Sequence, residues 1–203
     1  MQTGQIISQY TVGGITFSGT VTQEAEGQIS HVVTLPAGVA GTRDASGVAN
    51  LPTGHGIVVS DVVDVHWLDP TDGSHKVRRG LVVDAATATD IDFDEIPAGE
   101  GDTLPPDGTD VVVSVQTIVT TAFEGDLVRI IASKATQLAL ADFRSAAGSE
   151  LVQKYAANAT WSWATGQGFA NPLAADSIIE IRLSNGSTTE ATFYLGILYD
   201  SAV

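Results

Sequence analysis

The sequence predicts an all-β fold: an antiparallel β-sandwich of jelly-roll type, into which a small β-barrel module is inserted. Three observations support this prediction. Apolar and polar residues alternate along most of the 203 residues, as they do in strands with one buried face. Turn-forming Gly, Pro, Asp and Asn separate the alternating segments. Charged residues make up only 16% of the chain, and Lys and Glu, which favour exposed helices, are few.

The N-terminal half reads as a series of strands. Ile15, Phe17 and Val21 share one face of an alternating segment whose other face carries Thr and Ser, which predicts a half-buried strand. The next strand covers 28–35 and ends at Pro36, because proline has no backbone N–H to donate. Further strands are predicted at 57–59, 62–68, 76–84, 88–94, 110–116, 127–133 and 136–143.

The C-terminal part of the chain predicts a β-hairpin. Segments 178–183 and 191–199 alternate and flank Asn185-Gly186, a pair that favours a type I′ turn because both central residues need positive φ. Segment 148–159 is the only helical candidate; it lacks a clear apolar stripe, and we interpret it as a pair of strands. One face of the last arm is expected in the core, namely Phe193, Leu195, Ile197 and Tyr199.

The domain organisation is read from two changes in composition. The stretch 38–47 has the composition of a linker, and from Gly80 to Leu127 the chain has eleven acidic residues and no Lys or Arg. We therefore predict an inserted β-barrel domain at 41–117 and a discontinuous β-sandwich domain formed by 1–40 and 118–203. Two consecutive small β domains are the alternative.

Charge and composition argue against several classes of function. Lys and Arg number 9 against 24 Asp and Glu, and the net charge of −15 repels nucleic-acid phosphates. The absence of Cys excludes disulfides, thiolate nucleophiles and Cys-ligated zinc. Apolar runs are far shorter than the ~20 residues that cross a bilayer. We predict neither nucleic acid nor membrane as a partner.

An acidic segment offers the best candidate for a metal site. On a strand, Asp90, Asp92 and Asp94 point the same way about 7 Å apart, and a hard cation such as Ca²⁺ would relieve their repulsion. The spacing lacks the glycine and the bidentate glutamate of a calcium loop. A solvated acidic edge explains the pattern better, so these three residues are weak candidates and no metal site is predicted.

The sequence contains no motif that supports catalysis. His66 and His75 are placed to face each other across the turn at 69–73, yet no further ligand or catalytic motif accompanies them. Neither a Gly-x-Ser-x-Gly elbow nor a phosphate-binding or dinucleotide-binding glycine loop occurs. We predict that the chain is not an enzyme and needs no cofactor.

Two groups of segments carry a resemblance to a known class of proteins. The first group comprises 27–36, 54–57, 64–67, 79–80 and 101–105, and the second comprises 163–173, 183–186 and 195–200. Together they resemble uncharacterised β-rich proteins of tailed phages and phage-like gene clusters. The resemblance implies a virion component with a role in particle assembly, as a head-decoration, tail or fibre subunit, and it brings no catalytic residues.

The predicted function is therefore that of a phage virion structural protein. A head-decoration or accessory subunit, or a tail subunit, would bind copies of itself and other virion proteins, as closed symmetric assemblies do. The contact is expected in the segment 155–175, which has no charged residue among its 21 positions. The expected interface residues are Tyr155, Trp161, Trp163, Phe169 and Leu173.

The alternative function is a carbohydrate- or receptor-binding adhesin module, such as a domain of a tail fibre. Trp67, Trp161 and Trp163, with Tyr155 and Phe169, would then form a platform on which sugars stack. Packing of these aromatic side chains in a sandwich core explains the same residues.

Overall fold

In the computed structural model of the chain, the regular elements are strands. The structure describes residues 10–12, 15–17, 27–44, 46, 48–93, 100–122, 126–134, 139–145, 150–156, 158–162 and 178–200, and no helix occurs in these ranges. The all-β prediction is confirmed. The strands are β1 (Tyr10–Val12), β2 (Ile15–Phe17), β3 (Gly27–Leu35), β4 (Val39–Arg43), β5 (Val48–Asn50), β6 (Val62–Leu68), β7 (His75–Ala86), β8 (Asp90–Phe93), β9 (Glu100–Gly101), β10 (Asp110–Val115), β11 (Thr117–Ala122), β12 (Asp126–Lys134), β13 (Ala139–Ser145), β14 (Glu150–Ala156), β15 (Asn158–Ser162), β16 (Ile178–Asn185) and β17 (Ala191–Asp200).

A closed six-stranded antiparallel barrel confirms the predicted small barrel. Its order is β6-β10-β4-β5-β8-β7, and β7 pairs back with β6 to close it. The short strand β9 pairs with β7 at Arg78 and Arg79. Strand β8 pairs with a later part of β7, from Val83 to Ala86. Closure pairs both edges of each barrel strand, which removes the exposed edges on which sheets aggregate. The barrel strands lie between residues 39 and 115, and the domain boundaries at 41 and 117 stay a prediction.

Aliphatic side chains and one indole fill the barrel. Val63, Val65 and Trp67 alternate along β6, and Leu81 and Val83 point inward from β7. Valine and isoleucine suit this position because their branched side chains pack well on a pleated surface. The other buried members of the cluster are Ala49, Leu51, Ile57, Ile91, Val111 and Val113.

Two four-stranded sheets contain most of the remaining strands. One has the order β11-β16-β13-β14 and the other β15-β12-β17-β3, so the N-terminal strand β3 lies beside the C-terminal strand β17. Ile29 pairs with Ile197 in this second sheet. Phe193, Leu195 and Ile197 are fully buried, as expected, while Tyr199 is half-buried. The jelly-roll sandwich itself stays a prediction.

Three sequence predictions of local structure are wrong. The C-terminal segments form no hairpin, because β16 and β17 lie in different sheets and residues 186–190 connect them. The supposed linker at 38–47 contains β4, which pairs with β10 and β5. Residues 57–59 lie in a loop rather than a strand. In contrast, the described residues of 148–159 lie in strands β14 and β15, as interpreted.

Candidate functional site

Of the three residues proposed as weak metal ligands, Asp90 serves the local structure of a turn. The Asp90 carboxylate accepts hydrogen bonds from the hydroxyls of Thr87 (3.0 Å) and Thr89 (2.9 Å), which close the turn between β7 and β8. Asp92 lies on β8, opposite Val48 of β5, and Asp94 lies outside the described residues. Within the described ranges, no three His, Asp or Glu side chains are grouped closely enough to hold a metal ion.

The predicted interface residues fall largely outside the described part of the chain. Tyr155 lies in β14 opposite Leu140, and Trp161 lies in β15 opposite Ile130. The side chains of Tyr155 and Trp161 lie outside what the structure describes. The same is true of the whole of residues Trp163, Phe169 and Leu173. Trp67, the remaining tryptophan, is 6% exposed and packs in the barrel core. It is thus not an exposed platform, although it also lines a groove at one end of the barrel.

A buried polar cluster on the outer face of β6 is the first notable site. Val63, Val65 and Trp67 point into the barrel, so Asp64 and His66 point outward, yet both are buried. They are covered because the barrel meets the end of β16 here: Asn185 N–H donates to the Ser114 hydroxyl (3.0 Å) and His66 Nε2 lies 3.0 Å from Ser184 Oγ. Both faces of β6 are thus buried, one against apolar and one against polar groups.

A β-bulge in β7 shapes the position of Asp64. Between the pairs Val63–Leu81 and Val65–Arg78, β6 advances two residues and β7 advances three. The extra residue is accommodated at Gly80, whose φ of 70° is in the left-handed region that favours glycine. Asp64 Oδ1 accepts the Gly80 N–H (3.0 Å) and an N–H of the Gln116 side chain (2.6 Å).

A chain of hydrogen bonds links this carboxylate to the two histidines. The Ser184 hydroxyl also bonds to the Asp64 carboxylate and contacts His66 Nε2. On the other side of the ring, His66 Nδ1 lies 3.2 Å from His75 Nε2, and the ring centroids are 5.3 Å apart. The structure thus brings His66 and His75 together across the turn, as the sequence suggested, and adds Ser184, which sequence reasoning missed.

Burial sets the ionisation of this cluster. Desolvation, helped by the neighbouring His75 and Arg79, lowers the pKa of His66 to about 3, so the imidazole is neutral near pH 7. Burial raises the pKa of the Asp64 carboxyl, while hydrogen bonds from Ser184, Gly80 and Gln116 and the charge of Arg79 act in the opposite direction. These donors and Arg79 together stabilise a buried carboxylate.

The cluster contains serine, histidine and aspartate but lacks the geometry of a hydrolase. In a catalytic triad the carboxylate orients the histidine, whereas here Asp64 bonds to the serine. Exposure is 1% for His66, 2% for Asp64 and 1% for Ser184, so none of them can reach a substrate. The arrangement joins two parts of the chain rather than activating a nucleophile.

A surface groove of about 320 Å³ lies at one end of the barrel. The turn between β6 and β7 forms one wall and the segment 102–106 forms the other. Lys76 Nζ lies 3.8 Å from Asp102 Oδ1, and each side chain is about one-third exposed. Asp102 is fixed in place by two hydrogen bonds to Val77, one from its own N–H (2.9 Å) and one to its Oδ2 (3.1 Å). Three prolines stiffen the rim, namely Pro70, Pro105 and Pro106.

A pair of exposed valines marks a third feature of the barrel, which we call the valine knuckle (Val58–Val59). The two side chains are 58% and 52% exposed. They begin a tight turn in which Asp61 N–H donates to Val58 O (3.1 Å) and the Asp61 carboxylate accepts the Val58 N–H (2.9 Å). Ser60, at the third position, has a φ of 75°, which is unfavourable for a non-glycine residue. Ser60 N–H donates to Val83 O (2.7 Å), and Val83 N–H donates to Asp61 O (2.9 Å), which fixes the turn to β7.

The described part of the chain contains no helix that is long and apolar enough to cross a membrane. Comparison with known protein families, curated proteins and solved structures finds no match to this sequence.

Proposed function

We propose that the chain is a structural subunit of a phage-like particle, where it binds copies of itself and other particle proteins through apolar parts of its β-surface. The valine knuckle is the observation that carries this proposal. The branched side chains of Val58 and Val59 are exposed to solvent. Four hydrogen bonds hold the turn that carries them, and Ser60 in this turn has an unfavourable backbone conformation. Backbone strain of this kind costs on the order of 1–3 kcal/mol and persists where the surrounding structure enforces it, often at functional sites.

The composition supports the same proposal. A chain with net charge −15 repels its own copies at long range, so a contact between copies has to use uncharged surface. Neither the two valines of the knuckle nor the segment 155–175 carries a charged side chain. The resemblance to β-rich proteins of tailed phages agrees with a role in assembly.

Analytical ultracentrifugation at micromolar concentration tests the proposal. We expect the wild-type chain to sediment as an oligomer, and Val59→Asp to raise the dissociation constant at least about tenfold, which corresponds to about 1.4 kcal/mol. The reason is that a carboxylate buried in the contact would lose its water without gaining a partner. Ala88→Asp is the matched control, because it adds the same charge to another exposed turn of the barrel. A wild-type monomer that also fails to bind phage-like particles would contradict assembly.

The groove favours a second candidate, a carbohydrate- or receptor-binding module. It offers one ammonium group, a carboxylate at each side and proline rings, a mixture of polar groups and apolar walls found in small-ligand sites. Carboxylates and ammonium groups bond to sugar hydroxyls, and proline rings cover the C–H faces.

Calorimetric titration with a panel of neutral oligosaccharides distinguishes this candidate. We expect a binding saccharide to lose at least about tenfold in affinity when Thr103→Trp fills the groove, because Thr103 is exposed in its wall. Thr53→Trp, which places the same side chain on another exposed turn of the barrel, should bind like the wild type. If no saccharide binds, or if both variants bind equally, the groove is not a sugar site.

A further inference from the structure

Among the described residues, the barrel is joined to the rest of the chain by two short connections and a polar junction. Residues 36–38 connect β3 to β4, and Gln116 connects β10 to β11. Around these connections, Gly38 N–H donates to Ser187 O (2.8 Å), and the Asn185 side chain donates to Pro36 O (3.0 Å). Hydrogen bonds between polar groups can be replaced by water when two parts separate, so such a junction opens at lower cost than an apolar one.

The hydrogen-bond chain through His66 has a fixed direction when Asp64 is ionised. A carboxylate can only accept, so the Ser184 hydroxyl donates to Asp64. The serine oxygen then accepts from His66 Nε2–H, which leaves His66 Nδ1 as the acceptor for His75 Nε2–H at 3.2 Å. The whole chain therefore requires a neutral His66 that carries its single proton on Nε2.

Protonation of both histidines would break this chain. His66 Nδ1 and His75 Nε2 would then each carry a proton, neither could accept, and two N–H groups would face each other at 3.2 Å. The new positive charge on His66 would also lie near Arg79. Gly186 packs closely against the ring, since a methyl group added at this glycine would lie 2.8 Å from His66 Nδ1.

From this geometry we propose that the His75–His66–Ser184 chain is an acid-sensitive latch, which holds the barrel against the end of β16 near neutral pH and releases it on acidification while the barrel stays folded. The charged or titratable groups that face His66 are Asp64 on its own strand and His75 and Arg79 on β7. The contacts from β16 and its connection are the uncharged Ser184 and Gly186, and β10 adds the uncharged Ser114 to the junction.

The pH window follows from the two proton-binding groups. His66 has a pKa of about 3 in the closed junction and an ordinary value near 6.5 when released, so acidification from about pH 6.5 favours release. Asp64 acts in the opposite sense, because its raised pKa means that the closed junction binds its proton first. Proton binding by Asp64 therefore offsets part of the acid-induced release that proton binding by His66 favours.

Amide hydrogen exchange of the full chain, corrected for the chemical exchange rate at each pH, tests the latch. From about pH 7.5 to about pH 4.5 we expect protection of the Gly38 and Asn185 amides to fall roughly tenfold to a hundredfold. Protection of the Val83 amide, which bonds within the barrel, should hold. Equal loss at the junction and in the barrel, or no loss at the junction, would overturn the proposal.

Variants separate the latch from general acid sensitivity. His66→Gln can still donate to Ser184 but does not titrate, so its pH-dependent loss of protection should shrink to less than about twofold. Asp64→Asn removes the opposing contribution and should make the loss steeper than in the wild type. His55→Gln is the matched control, because His55 lies on the barrel away from the junction and bonds to Thr87 O and the Ile57 N–H. A full pH response in His66→Gln, or its loss in His55→Gln, contradicts a latch at His66.

Discussion

Replacing Asp64 with alanine is expected to lower the free energy of unfolding by about 3–5 kcal/mol, because it leaves several donors at a buried site without an acceptor, at about 1–3 kcal/mol each. The substitution removes the acceptor of the Gly80 N–H, of the Gln116 side chain and of the Ser184 hydroxyl. It also removes the negative charge near Arg79, a side chain that is only 2% exposed. Unfolding in urea, followed by circular dichroism, measures the loss.

Two further variants show whether the charge or the hydrogen bonds are responsible. Asp84→Ala removes an exposed carboxylate from β7 and should leave the urea midpoint unchanged. The double variant Asp64→Leu/Arg79→Met removes both charges, and we expect it to recover part of the loss, because buried groups of opposite charge are often replaceable by apolar side chains. If Asp64→Ala unfolds at the wild-type urea concentration, the carboxylate does not stabilise the junction.

The sequence predicted several strands well from the pattern of apolar residues alone. Strand β6 covers Val62–Leu68, the predicted range, and the predicted strand at 127–133 lies within β12. In both, alternating Val, Ile and Leu are enough to identify the strand. The alternation does not reveal what covers the second face, where Asp64 and His66 are buried against β16, more than 100 residues away in the sequence.

The wrong predictions have a common physical cause, which is pairing with distant segments. Strand β4 has Gly and Thr in a short stretch that resembles a linker, and it becomes a strand because β10 and β5 supply its hydrogen bonds. Asn185 does not form a type I′ turn; its side chain donates to Pro36 O and Thr189 O and accepts the Ser187 N–H, which shapes a longer connection between two sheets. Gly186 is needed there because a side chain would collide with His66 rather than because of a positive φ.

The candidate sites were the least predictable part of the molecule. The sequence placed His66 and His75 together because a turn lies between them, and local contacts of this kind can be read from spacing alone. Ser184 could not be identified, since nothing in the sequence around it distinguishes this buried serine from serines on exposed faces of strands. The groove and the valine knuckle depend on how loops fold back onto β7, which residue patterns do not encode.

Phe193→Ala should have an effect comparable to that of Asp64→Ala, with an expected loss of about 3–5 kcal/mol in the free energy of unfolding. Phe193 is fully buried in β17, with Val33 of β3 opposite on one side and Lys134 of β12 on the other. Removing the ring forfeits its burial and leaves a cavity that a four-stranded sheet can only partly close. Thr192→Ala is the control, because it changes the neighbouring half-buried residue on the other face of the strand and should cost much less.

The same variant tests the predicted division of the chain into two domains. If 41–117 is an independent unit, Phe193→Ala should reduce hydrogen-exchange protection in β17 and β3, while the Val83 amide of the barrel keeps its wild-type protection. Leu81→Ala, in the barrel core, should instead reduce protection of the Val83 amide and leave that of β17 and β3 unchanged. The junction contains only a few cross-contacts between polar groups among the described residues, including those of His66 with Ser184 and of Asn185 with Ser114, so we expect weak coupling between the two units. Equal loss of protection in both regions after either substitution would instead mean that the chain unfolds as one cooperative unit and that the boundaries at 41 and 117 do not separate domains.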